Sequence, residues 1–142
     1  MNKFINTAHR ERYINMVLED NMSCNDRERA SLFYIISGND DLYKKRRYIY
    51  NPIDHSIKSC IGNREVDFSS GMYSLIRLGF NLYNSWSDKY TTPLDLFGSL
   101  DEINLRLAGN ALMIRFNRDF YDDLMGWICL SLGSLWRSLF LS

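Results

Sequence analysis

The last nineteen residues of this chain constrain it most. Leu124–Ser142 carries one charge, Arg137, and holds Trp127 and Trp136 in an otherwise leucine-rich run. Apolar surface of that extent must leave water for the protein's own core, a protein partner or lipid. At helical spacing Ile128, Leu132, Leu135 and Leu139 share one stripe, which Cys129, Trp136 and Phe140 widen. The uncharged run from Leu124 to Trp136 falls short of the roughly 20 residues that span a bilayer. Membrane association is therefore not expected. The two remaining homes are the core and an interface, with Trp127, Ile128, Leu132, Trp136 and Phe140 as the candidate interface anchors.

Ahead of this tail the pattern is helical and polar-capped. A chain of 142 residues suits one domain and is long enough to bury a core without staples. Tyr13, Met16 and Val17 predict a first helix over Thr7–Asp20. Asn25 with Glu28 resembles the cap of a second helix, whose apolar run Ala30–Ile36 stops at Gly38. Asp40 and Asp41 open a third helix, and Lys44–Arg47 lie toward its basic end. Between Asn51 and Ser70 no period emerges, and a loop with a helical turn near His55 is expected. Ser69 or Ser70 caps the next helix, Gly71–Trp86, whose broad apolar surface predicts the centre of the bundle. Gly79 on it marks a close helix crossing. Thr92-Pro93 starts a short helix, Asp101 another, and a final helix runs from about Asp119 to Leu139. The reading is all-α: a compact single-domain multi-helix bundle over 1–142, with a central apolar helix and a hydrophobic C-terminal helix within 118–142.

Seventeen basic residues balance seventeen acidic ones. That removes the long-range field of a nucleic-acid binder, and it places no electrostatic barrier against self-association. Cys24, Cys60 and Cys129 are odd in number and widely spaced, which argues against a disulfide framework and for a reducing, cytoplasmic setting. No export segment stands out in the polar stretch Asn2–Arg12. His9 and His55 lack neighbours at ligand spacing, so no metal is expected. Cys60 with His55 is a thiol–imidazole pair without an orienting third group, and Asp122 and Asp123 diverge on a helix. No glycine-rich phosphate loop is present. These residues supply no catalytic set, and no cofactor is expected.

Two constellations remain as ligand or phosphate-binding candidates. Arg46 and Arg47, followed by Tyr48 and Tyr50, offer guanidinium groups for a phosphate and rings for stacking. A solvated helix end is the simpler reading of the same charges. Arg77, Asn81 and Asn84 are spaced to share one helix face. If that face is buried they must form a paired network, and if it opens to a cleft they bind a polar ligand.

The run Arg29–Tyr43, with His55-Ser56-Ile57-Lys58, Leu78–Asn84 and Thr92–Phe97, resembles an uncharacterised family of small proteins. That family, a domain of unknown function, belongs to low-GC Gram-positive bacteria and their phages or mobile elements. The resemblance covers about Phe4–Phe116. It implies an all-helical protein in a mobile-element context and transfers no activity. The expected function is non-catalytic protein binding, as a homodimer or against a host factor. The alternative is a binder of a small phosphate-bearing or polar ligand.

Overall fold

The computed structural model describes residues 3–126 and 128. Among these, α1 (Thr7–Asp20), α2 (Arg27–Gly38), α3 (Asp40–Lys44), α4 (Ser70–Asn84), α5 (Pro93–Phe97) and α6 (Glu102–Phe116) build a compact all-α bundle. Helical backbone resumes over 118–126. A 3-10 turn, Arg46–Tyr48, leads into a two-residue antiparallel ladder. In it β1 (Tyr50–Asn51) meets β2 (Ser56–Ile57), with Tyr50 opposite Ile57 and Asn51 opposite Ser56. The segment expected to hold a helical turn near His55 is therefore a small hairpin. Two residues per strand are too few for alternation to show in sequence.

Side-chain caps set the helix starts. Asn6, Asn39, Ser69, Thr92 and Asp101 each accept a hydrogen bond from the backbone N–H three residues on. The second helix is capped by Asp26 rather than Asn25. Asp26 accepts from the Arg29 N–H at 2.9 Å, whereas the Asn25 N–H is held back in the preceding turn by Ser23 Oγ at 3.3 Å. Asn39 both follows α2 and caps α3, so the two helices meet at one residue.

The bundle is organised around α2 rather than Gly71–Trp86. Every residue from Ala30 to Ser37 is buried, and α2 packs against α1, α4 and α6. The two buried serines are satisfied by their own helix: Ser31 Oγ donates to Glu28 O at 2.8 Å and Ser37 Oγ to Phe33 O at 2.6 Å. By contrast α4 buries one broad face and leaves Gly71, Tyr73, Arg77, Asn81 and Tyr83 half-buried and Asn84 exposed. Its breadth in sequence reflects contact with both α2 and α6. Gly79 does sit at a close crossing, where a Cβ would come within 2.9 Å of Leu32 Cδ1 on α2.

Beyond α6 the chain returns to the bundle. Tyr121 Oη donates to Cys24 O, and Tyr13 Oη reaches Met125 Sδ at 3.4 Å. Leu124, Met125 and Ile128 are buried in the core cluster. Ile128 thus belongs to this chain's own core and not to an exposed interface. Trp127, Leu132, Trp136 and Phe140 lie outside the described residues. No helix among the described residues is long and apolar enough to cross a membrane.

Candidate functional site

One buried carboxylate gathers partners from distant parts of the chain. Asp20, the last residue of α1, is fully buried, and a bare carboxylate there would be costly. The hairpin and α2 supply its partners. Tyr50 Oη donates to Oδ1 at 2.6 Å, His55 Nδ1 lies 2.9 Å from the same oxygen, and Arg29 Nη1 meets Oδ2 at 2.7 Å. Burial alone lowers the Arg29 pKa, but the hydrogen bond and charge of Asp20 outweigh it and hold the guanidinium above its ordinary value. Burial and the adjacent carboxylate push the Tyr50 phenol up, so it stays a donor. Arg29 Nε is 3.3 Å from Asp26 Oδ2, an ion-pair distance without hydrogen-bond geometry.

His55 completes the lock on the hairpin. Its backbone is left-handed (φ 58°), an uncommon conformation for a residue with a Cβ. Tyr83 Oη from α4 donates to its carbonyl at 2.6 Å while Asp20 holds its ring. The hairpin is thereby bonded to α1 and α4, and through Asp20 to α2.

The other side of Tyr50 is a groove. Glu19, Arg47, Tyr50, Asn51, Pro52 and Lys58 line a depression of ≈ 420 Å³, with Ile53, 88% exposed, at its wall. The side chains of Arg47 and Lys58 have no hydrogen-bond or ion-pair partner among the described residues. Glu19 is the acid in the groove, and it faces Arg46 at 3.9 Å. Lys58 also borders a second recess of ≈ 220 Å³ walled by Ile57, Ile61, Phe80 and Trp86.

The sequence candidates separate in this frame. Arg47 lines the groove, as does Tyr50. Arg46 sits at its edge but is engaged: Nη1 donates to Tyr43 O at 3.1 Å, and the guanidinium lies 4.2 Å from the Tyr43 ring centre. Tyr48 is exposed and lines neither recess. Arg77, Asn81 and Asn84 do not converge on a cleft. They hold the chain that leaves α4: Arg77 Nε donates to Asp88 at 2.9 Å, Asn81 Nδ2 to Trp86 O at 3.0 Å, and Trp86 N to Asn84 Oδ1 at 3.1 Å. Cys60 is buried, which pushes its thiol up to about 11, and His55 is bonded to Asp20. The thiol–imidazole pair is not assembled.

Sequence reading missed Asp20, Arg29, Lys58 and Trp86 as site residues. Asp20 and His55 are 35 positions apart and meet only through the hairpin, so no spacing rule could pair them. The available signal was an acid ending a helix and an Arg opening the next. No curated protein and no solved structure matches this chain. A family of unknown function (DUF6075) matches residues 1–125, most of the chain and all six labelled helices, and the protein belongs to that family.

Proposed function

We propose that this protein is a non-catalytic binder of a small phosphate-bearing ligand, held in the groove beside Tyr50. One observation carries the reading: Arg47 and Lys58, whose side chains have no partner among the described residues, line the same groove. A guanidinium presents paired N–H donors that match phosphate oxygens, and an ammonium adds a compact charge. Two local cations suffice for this in a chain of zero net charge, because a contact pair needs no protein-wide field. The ring of Tyr50 is fixed through its hydroxyl, so the groove wall is set before a ligand arrives.

Isothermal titration with inorganic phosphate at low ionic strength tests this. Binding is expected to weaken about tenfold or more in Arg47→Ala and again in Lys58→Ala, the scale of a lost charged hydrogen bond. Arg64→Ala, an exposed cation outside the groove, serves as the control. Equal affinity in the wild type and the double variant overturns the proposal.

A second reading is protein binding or self-association, in the cytoplasm of a low-GC Gram-positive host or its phage. Its support is the outer side of α6, where Ile103, Leu105, Met113 and Phe116 are exposed. Light scattering that returns the mass of one chain at every concentration removes the homodimer.

A further inference from the structure

We infer that the ligand is an amphipathic anion: a phosphate head between Arg47 and Lys58, joined to a single aromatic ring or short apolar group seated against Phe80 and Trp86. This rests on the phosphate-binding reading and extends it to the second recess. Lys58 lines both hollows, so the groove and the recess with its apolar residues adjoin at one cationic side chain. The apolar wall of the recess is made by Ile57 and Ile61 on the hairpin side and Phe80 and Trp86 on the α4 side.

The wall is a built one. Trp86 follows Ser85, whose left-handed backbone (φ 69°) turns the chain out of α4. Both polar backbone groups of Trp86 are then claimed by α4, the carbonyl by Asn81 and the N–H by Asn84. The indole packs edge-on against Phe80 with ring centres 5.6 Å apart. Asn81 and Asn84 are positioning residues, which gives a role to two amides on a mostly apolar helix. Two of the six residues lining the recess of ≈ 220 Å³, Phe80 and Trp86, are aromatic, and a third is Lys58, whose side chain has no partner among the described residues. Apolar burial beside an unneutralised cation selects a ligand with both properties, since either group alone leaves half of the surface unused.

Phenyl phosphate and inorganic phosphate are the probes. The wild-type protein is expected to bind phenyl phosphate roughly tenfold more tightly, the factor that partial burial of one ring supplies. In Trp86→Ala that preference collapses toward unity while affinity for inorganic phosphate holds. Ile61→Ala, a smaller change in the same wall, lowers the preference if Trp86→Ala does not fold. Equal affinities for the two probes in the wild type overturn the amphipathic assignment and leave the phosphate groove standing. A preference that survives both substitutions also overturns it. Binding of neither probe overturns the groove and this inference together.

Discussion

A methyl group added at Gly38 and one added at Gly109 are expected to move stability in opposite directions. At Gly38, where α2 faces α6, a Cβ would overlap Leu107 Cδ1 and come within 3.0 Å of His9 Nε2. Leu107 and His9 are themselves buried, so neither yields freely. Gly38→Ala is expected to cost about 1–3 kcal/mol, the range for overpacking a core. Gly109 lies mid-way along α6 with nothing within 4 Å of an added Cβ. Gly109→Ala is expected to add about 0.5–1 kcal/mol through helix propensity. Paired urea titrations decide it, and two shifts of the same sign would refute the account. Residue-scale features written in local sequence were legible. The Thr7 start, the Ser69 cap and the Thr92-Pro93 opening each depend on near neighbours, and the crossing at Gly79 is marked by a glycine on an apolar helix although its partner, Leu32, is distant in sequence. The Asp20 cluster depends on the meeting of distant segments and left no local mark.

At the scale of elements, the hairpin is the piece that the bundle must hold in place. Its two-residue ladder is far too short to stand alone. Asp20 joins it to α1 and α2, and Tyr83 joins it to α4. Asp20→Ala leaves the mostly buried Arg29 without its main counter-ion and Tyr50 without its acceptor. Removal of one partner of a buried pair costs about 3–5 kcal/mol, and amide exchange is expected to speed up over residues 50–60 before the helices respond. Exchange that rises uniformly along the chain would show that the cluster does not serve the hairpin. The same scale explains the displaced centre of the bundle. The run from Ala30 to Ile36 announces a buried helix in sequence, but periodicity cannot say which of two apolar helices the others surround.

For the whole molecule, the relevant group is His9, which ties the amino-terminal segment to α1 and α2. Its Nδ1 accepts from the Ile5 N–H at 3.1 Å and its Nε2 donates to Tyr34 O at 2.9 Å. The bond from Ile5 requires an unprotonated Nδ1, and burial outweighs the Tyr34 carbonyl to lower the pKa from 6.5 to about 4. The unfolded chain therefore binds the proton first, so this contribution to stability is complete above about pH 6.5 and fades as the pH falls toward 4. The gap corresponds to about 3 kcal/mol. Unfolding midpoints measured at pH 7 and pH 4.5 should differ accordingly, and His9→Gln should shrink the difference. Midpoints that coincide in the wild type would refute it.

Tyr50 takes part in two structures at once. It lines the groove, and its hydroxyl closes the polar cluster between the first two long helices. An occupied groove and a folded bundle are consequently linked states: whatever settles in the groove binds the native chain and has no such surface in the unfolded one. At a free concentration a hundred times its dissociation constant, such a ligand adds about 2.7 kcal/mol. Supply of that ligand in the cell would then set how much of this protein survives proteolysis, making abundance itself a readout of the compound.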